Sequence, residues 1–207
     1  MAKTEQETVS KRKKWPWFLI GAIVLLVATC LLYQFPKESP SVPVLTIETP
    51  QKLSAFQKEE FTLDVGISDL GEALYPAMSM CIGFDPSRLE FLGLKEGNVL
   101  ILNSESKTGQ QLPTWSCNVQ ASNDLGQINI MYLDMTGGKY SFSKEMLEGE
   151  EHVLLRLCFR LRGSVRSGDV LDLSIEDAVF AATDEYQSLA MTNDTLVTKN
   201  GRLVIGE

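Results

Sequence analysis

The sequence predicts an all-β domain, a β-sandwich of jelly-roll type, preceded by one N-terminal transmembrane helix. An uncharged, apolar run covers residues 17–35 of the 207-residue chain. From residue 44 onward, apolar and polar residues alternate with the period of two that a half-buried strand requires. Turn residues separate about ten such segments, and no amphipathic helix is predicted between them. This pattern favours two packed sheets over any helical or mixed architecture.

The apolar run has the length of a membrane span. At about 1.5 Å per residue, a helix over residues 17–35 is about 28 Å long, close to the thickness of a bilayer's hydrocarbon core. Amphipathic aromatic rings favour the headgroup region. They flank this run at both ends, as Trp15, Trp17, Tyr33 and Phe35. We therefore predict a transmembrane helix over residues 15–35.

The charges around this helix predict its orientation. Four consecutive basic residues occupy positions 11–14, whereas the first charge after the run is Lys37. The positive-inside rule then makes residues 1–14 a cytoplasmic tail. Residues 36–43 form a Pro/Ser linker, and residues 44–207 form an extracellular domain on a bacterial cell membrane. Two alternatives stay open, a cleaved signal peptide and a lipid anchor on Cys30.

The composition of the remaining chain excludes several functions. Beyond residue 14 it carries 14 basic and 25 acidic residues, a net charge of −11. Such a domain would repel the phosphates of nucleic acid. The single histidine, His152, argues against a histidine-based metal site or nucleophile–base pair. The acidic clusters at 145–151 and 184–185 are interpreted as solvated loops rather than a calcium site. No cofactor, metal or catalytic residue is predicted.

The predicted strands are short and are separated by polar or Gly-containing turns. A polar turn is predicted at 122–126, and one helical turn is predicted after Ser143. The predicted strands cover 44–48, 61–68, 75–84, 89–94, 113–120, 127–134, 151–162, 170–175, 178–182 and 202–205.

Alternation along three of these strands predicts which side chains face the core. In the strand 151–162 the odd positions are apolar and face inward, which leaves Leu154, Arg156 and Cys158 facing out. In the strand 75–84 the inward residues are Met78, Met80, Ile82 and Phe84. The small residues Ala77, Ser79 and Cys81 then form a flat outer surface. In the strand 127–134 we place Met131 and Leu133 outside, although a one-residue error in phase would reverse that assignment.

Several segments together resemble a cohesin domain, the module that binds dockerin domains in bacterial cellulosomes. The clearest is YPAMSMCIGFDPSRLEFLGL at 75–94, which is similar to the family's third strand, its Asp-Pro turn and the strand that follows. The segment GQINIMYLD at 126–134 resembles the sixth strand, and 154–163 resembles the eighth. The ends, DAVFA at 177–181 and NGRLVI at 200–205, resemble the closing strands. The similarity covers residues 42–207.

The resemblance implies a protein partner and a face that binds it. The partner would be a dockerin-like or other exported protein, bound in a calcium-dependent way and active in polysaccharide degradation. The family's binding face is built from its third, fifth, sixth and eighth strands. By position, it comprises Ala77, Ser79, Cys81, Asn118, Asn129, Met131, Leu133, Leu154 and Arg156. The chain departs from the family at Ala77 and Ser79, where an Asn and an Asp usually bind the partner helix.

The resemblance also places Cys81 and Cys158 on neighbouring strands. An extracellular location would permit a disulfide between them. Free cysteines are the alternative, because cysteine is also a common small apolar residue. If one bridge forms, Cys117 is the expected unpaired cysteine.

Other functions remain as alternatives. A carbohydrate-binding module would hold polysaccharide directly, with Trp115 as a ring on which a sugar could stack. A structural protein of the cell envelope would use the sandwich as a scaffold. A hydrolase has the least support, since no nucleophile–base pair is recognisable in the sequence.

Overall fold

The computed structural model describes residues 42–50, 52–99, 114–147, 152–183 and 189–207. The predicted cytoplasmic tail, the transmembrane helix with Cys30 and nearly all of the linker lie outside these ranges. Part of the acidic cluster at 145–151 and all of the one at 184–185 also lie outside them. No helix within the described ranges is long and apolar enough to cross a membrane.

The described residues form ten strands and one short α-helix, with a 3-10 turn over Lys144–Leu147. The strands are β1 (Val44–Glu48), β2 (Leu53–Ser54), β3 (Phe61–Ile67), β4 (Ala77–Gly83), β5 (Leu89–Glu96), β6 (Gln127–Leu133), β7 (Val153–Leu161), β8 (Val170–Ala181), β9 (Val197–Lys199) and β10 (Gly201–Gly206). The helix α1 covers Val119–Leu125.

The strands form two five-stranded sheets. The first sheet has the order β5-β7-β3-β1-β9, and the second has the order β2-β10-β8-β4-β6. The pairs β1–β9 and β10–β2 are parallel, and the other pairs are antiparallel. The inward side chains of both sheets share one core, so the predicted all-β sandwich is confirmed.

Aromatic residues fill the two ends of this core. At one end, the Phe159 ring lies 5.4 Å from that of Phe84 and 5.5 Å from that of Phe91. At the other end, the Tyr132 and Phe142 rings lie 4.8 Å apart. The predicted inward residues of β4 and β6, and the odd positions of β7, are all buried. The predicted inward positions of these three strands are therefore confirmed, but Leu154 and Cys158 of β7, which were predicted to face out, are buried at 0% and 4% exposure.

The predicted strand over 113–120 is wrong beyond residue 118, and the turn at 122–126 is part of α1. Asn118 caps this helix, because its side-chain Oδ1 accepts a hydrogen bond from the backbone N–H of Ala121 at 3.0 Å. Gly126 ends the helix in a left-handed conformation, with φ of 71°. Within 114–118 the predicted strand is reduced to one isolated bridge, between Ser116 and Met131 at the edge of β6.

The helix α1 connects the edges of the two sheets. The Asn123 side chain donates to the Phe91 carbonyl at 2.8 Å and accepts from the Phe91 N–H at 2.9 Å. These two hydrogen bonds satisfy the backbone groups of Phe91 on the side of β5 that has no neighbouring strand. They also protect this edge against pairing with another chain.

The strand β8 is continuous where two strands, 170–175 and 178–182, are predicted. Cys81 of β4 pairs with Asp177, but the adjacent Ile82 pairs with Ile175, so Glu176 is an extra residue in β8. This bulge interrupts the alternation, which is why the sequence suggests a break. The short strands β2 and β9 are absent from the prediction, because two or three residues carry no readable alternation.

Candidate functional site

On the outer surface of β8, β4 and β6, the pairing register places small and apolar side chains next to one another. This is the largest such set that the register defines. Residues directly opposite each other on adjacent strands have Cβ atoms about 5 Å apart, so the register arranges this surface in rows. The first row is Leu133, Ala77 and Ala181; the second is Met131, Ser79 and Val179; the third is Asn129, Cys81 and Asp177. We refer to these nine residues as the apolar face.

The apolar face is low in the middle and higher along β6. Ala77 and Ser79 on the central strand are small, whereas Met131 and Leu133 beside them are 59% and 51% exposed. Val179 stands on the opposite flank, on β8. Because adjacent strands lie about 4.8 Å apart, the distance from β6 to β8 is about 10 Å. The face is therefore a shallow trough about 10 Å wide that runs along the strands.

Beyond the end of β6, the chain exposes one more large apolar side chain. Met135 is 83% exposed and lies at the start of the loop 134–141. Asp134 fixes the loop, because its carboxylate accepts hydrogen bonds from the Thr136 N–H at 2.8 Å and the Tyr140 N–H at 3.0 Å. Burial alone would raise the pKa of Asp134, but these hydrogen bonds outweigh it and lower that pKa. The loop is thus held in place by an ionised carboxylate.

The opposite end of the trough is acidic. Glu176 Oε2 accepts hydrogen bonds from Gln127 Nε2 at 2.9 Å and from the Cys81 thiol at 3.6 Å. Asp177 Oδ1 accepts one from Asn193 Nδ2 at 2.9 Å. All of these donors are neutral, and within the described ranges neither carboxylate forms an ion pair. Two negative charges therefore stand uncompensated at this end.

Six of the nine residues predicted to bind a partner lie together on the apolar face. They are Ala77, Ser79, Cys81, Asn129, Met131 and Leu133. Asn118 is exposed at the edge of the same sheet, in the segment beside β6, where its side chain caps α1. A binding role for these residues stays a prediction.

The placement of Leu154 and Arg156 on this face is wrong. The strand beside β4 is β8, whereas β7 belongs to the first sheet. Leu154 falls at an irregularity where Val65 pairs with Leu155 and Gly66 pairs with Val153, and its side chain is completely buried, at 0% exposure. Arg156 lies on the outer surface of the first sheet, where its Nε donates to Asp64 Oδ1 at 3.1 Å.

Sequence reasoning missed the contribution of β8 to the face. Val179 and Ala181 have outward positions that alternation alone would assign, but alternation does not reveal which strand lies beside β4. No pattern in the sequence predicts that Met135 is exposed, because its exposure depends on how Asp134 orders the loop.

The possible disulfide between Cys81 and Cys158 does not form. The two residues lie on strands of different sheets, and Cys81, Cys117 and Cys158 are all free. Burial raises the pKa of each of the three thiols, and for Cys81 the negative charge of Glu176 raises it further. These thiols therefore lack the lowered pKa of a catalytic nucleophile.

Two further features bear on metal binding and on the predicted role of Trp115. Within the described ranges, no three His, Cys, Asp or Glu side chains group closely enough to hold a metal ion. The Trp115 ring packs against Tyr132 and Phe142, at 5.1 and 5.7 Å, rather than standing free as a platform for a sugar.

A groove of about 420 Å³ lies on the outer surface of the first sheet. Its polar walls include Glu48, Asp64, His152 and Lys199. Asp64 is already paired with Arg156. This groove is a weaker candidate than the apolar face, because its walls carry both acidic and basic residues and the carboxylate of Asp64 is already in an ion pair.

Among the comparisons with known proteins, the one with solved structures supports the architecture. No protein-family model matches the chain, and no curated protein matches it in sequence. Among solved structures, 36 chains match. The third cohesin ScaC of Acetivibrio cellulolyticus, bound to the ScaB dockerin, has 11% identity and a TM-score of 0.59; the match covers 80% of this chain and 99% of that one.

Two further cohesins give similar values. The sixth cohesin of scaffoldin B from Acetivibrio cellulolyticus, in complex with the Cel5 dockerin, has 16% identity and a TM-score of 0.57, over 79% of this chain and 98% of that one. The OlpA cohesin of Clostridium thermocellum, also in a cohesin–dockerin complex, has 16% identity and a TM-score of 0.56, over 79% and 99%. At these identities the likeness is one of fold: residues 42–207 form a cohesin-like domain.

Proposed function

We propose that this chain is a non-catalytic protein-interaction module, and that its apolar face binds a dockerin-like exported protein. The cohesin-like fold supports this proposal, since the three similar structures described above contain a cohesin bound to a dockerin. The raised pKa values of the thiols argue against a nucleophilic role for these cysteines.

The observation that carries the proposal is the exposure of Met131 and Leu133 on the same face of β6, with Met135 also exposed in the loop just beyond the strand. Large contiguous apolar patches are uncommon on monomeric domains and mark sites of interaction. Interface centres are apolar and poor in charge, with a polar rim. The apolar face has this arrangement, because Asn129 and Asp177 lie at one end of its two apolar rows.

The proposal includes a cell-surface location. The uncharged run at 17–35 and the basic residues at 11–14 support an anchor over residues 15–35, with the domain outside the membrane. We expect the chain to remain in membranes washed with alkaline carbonate, and protease added to intact cells to degrade its domain. Release by the wash, or protection in intact cells, would contradict this location. The proposal also includes a partner that degrades polysaccharide.

The central experiment measures binding of dockerin domains to the purified full chain. A panel of dockerins would be immobilised with calcium or with a chelator. We expect at least one dockerin to retain the chain only with calcium. Met131→Asp should weaken that binding at least about 100-fold, because it places a charge in the centre of an apolar interface.

Val197→Asp is the matched control. Val197 lies on β9 of the first sheet and is 46% exposed, so the same charge is added to a similarly exposed aliphatic position on the opposite surface. It should bind like the unmodified chain. If no dockerin is retained and insoluble polysaccharide binds the chain instead, the proposal is wrong and the domain binds glycans.

A further inference from the structure

We propose that the apolar face selects a partner helix with two bulky apolar side chains one turn apart, followed one turn later by a basic residue. This inference rests on the proposed function and adds the chemistry of the partner segment. It is drawn from the width of the trough, the spacing of its rows and the charge at one end.

The width of the trough fits an α-helix lying along the strands. Its flanks on β6 and β8 are about 10 Å apart, and a helix with its side chains is about 10–12 Å in diameter. A helix laid between them would contact Ala77 and Ser79 at the bottom and Met131 along one side. Grooves of this kind bind amphipathic helices through residues that recur on one helix face.

The spacing of the rows sets the spacing of the partner's contacts. Successive rows are two residues apart along antiparallel strands, or about 6.8 Å. A helix rises about 1.5 Å per residue, so each row corresponds to about four to five residues of the partner, and four is the spacing that keeps its side chains on one helix face. A residue i over the row of Leu133 therefore places i+4 over the row of Met131, and i+8 over the row of Asn129.

The chemistry of each row sets the type of residue it accepts. Ala77, Leu133 and Ala181 offer no side-chain hydrogen bond, and the second row offers only the Ser79 hydroxyl. A polar residue of the helix would lose its water there without a replacement partner, so apolar residues fit positions i and i+4. In the third row Asp177 stands beside Glu176, and both charges are uncompensated within the described ranges. Lysine or arginine fits position i+8, and an acidic residue there is repelled.

Three synthetic peptides test the inference on the full chain. Each is an alanine-based, hydrocarbon-stapled helix of about 18 residues with Leu at i and i+4, and position i+8 carries Lys, Gln or Glu. Affinity is measured by fluorescence anisotropy at low and high salt. We expect the Lys peptide to bind about tenfold more tightly than the Glu peptide, with Gln between them. The difference should shrink in high salt because the carboxylates are exposed.

Two variants of the chain test whether Glu176 and Asp177 cause the preference for the Lys peptide. Glu176→Gln with Asp177→Asn removes both charges while keeping oxygen acceptors for Gln127 and Asn193, so the fold should be unaffected. The preference for Lys over Glu should then fall to about twofold or less. The control is Asp172→Asn, an exposed carboxylate on the same strand that lies outside the three rows. This variant should keep the full preference.

The outcomes separate the inference from the proposed function. Equal binding of the three peptides, or a preference that survives the double substitution, overturns the inference. Failure of all three peptides to bind, while a dockerin still binds in a Met131-dependent way, overturns the inference and leaves the proposed function intact. If neither peptides nor dockerins bind the apolar face, the proposed function fails as well.

Discussion

The outer surfaces of the two sheets carry different kinds of side chain, ion pairs on the first sheet and small or apolar residues on β4 and β6 of the second. On the first sheet, Arg156 pairs with Asp64 at 3.1 Å and Arg160 pairs with Glu90 at 3.2 Å, both across neighbouring strands. Lys95 pairs with Glu60 on the same side. On the second sheet, β4 and β6 present Ala77, Ser79, Met131 and Leu133, and within the described ranges none of these lies in an ion-paired row.

The difference predicts which surface can be covered by a partner. Covering the first sheet would remove water from several charged groups, and that penalty is large unless the partner supplies matching groups. Covering the apolar face removes water mainly from aliphatic carbon, which is favourable. Two surfaces with the same strand geometry therefore differ in what they can bind, because their outward residues differ.

The largest effect is expected from filling the trough. Ser79→Trp places a large ring on the central strand of the face, where a partner helix would lie. We expect dockerin binding to weaken at least about 100-fold, as a steric block at an interface centre does. Thr62→Trp is the control, since Thr62 is exposed on β3, the central strand of the first sheet. If both variants bind alike in titration calorimetry, the two surfaces do not differ in function.

The next effect concerns the loop that displays Met135. Asp134→Ala leaves the N–H groups of Thr136 and Tyr140 without their acceptor, and we expect a loss of about 2–3 kcal/mol in the free energy of unfolding. Asp194→Ala, at an exposed carboxylate, should change it by less than about 0.5 kcal/mol. Urea denaturation measures both.

The same carboxylate predicts a dependence on pH. The pKa of Asp134 is lowered by folding, so its stabilisation is fully present above its ordinary pKa of 3.8 and is lost as the pH falls through the lower folded value. The difference in unfolding free energy between the unmodified chain and Asp134→Ala should therefore be constant near neutral pH and narrow below about pH 4. A difference that widens in acid would contradict this role.

The smallest effects are expected from two surface ion pairs, Asp64 with Arg156 on the first sheet and Asp172 with Arg202 on the second. Asp64→Ala should cost about 1 kcal/mol of unfolding free energy, less in high salt, because the pair with Arg156 is only half-buried. Asp172→Ala removes a looser, more exposed pair with Arg202, separated by 3.8 Å, and should cost almost nothing. Neither should alter dockerin binding. A loss of binding in Asp64→Ala would assign the interface to the first sheet.

The sequence predicted the parts of this molecule that depend on local alternation. The inward residues of β4 and β6 are read directly from their period of two, and so is the exposure of Met131 and Leu133. The order of strands within the sheets is not local, because it depends on long-range pairing. The placement of Leu154 and Arg156 followed from the resemblance, which matched 154–163 to the family's eighth strand, whereas the strand beside β4 in this chain is β8.

Two further errors have specific physical causes. Residues 119–125 contain few apolar positions, and the capping contacts of Asn118 and Gly126 make them helical. The extra residue Glu176 shifts the phase of β8 and made one strand look like two. The acidic end of the trough follows from this bulge, so that part of the site could not be predicted from alternation.

Methionine-methyl NMR of the full chain gives the most direct test of the proposed interface. Met131 is exposed on the apolar face and Met135 is exposed in the loop that follows β6, whereas Met78, Met80 and Met191 are buried in the core. On addition of a calcium-loaded dockerin that binds the chain, we predict that the Met131 and Met135 methyl signals shift or broaden while the three buried methionines change little. A complex that forms without perturbing Met131 would contradict the account, because the partner would then lie on another surface.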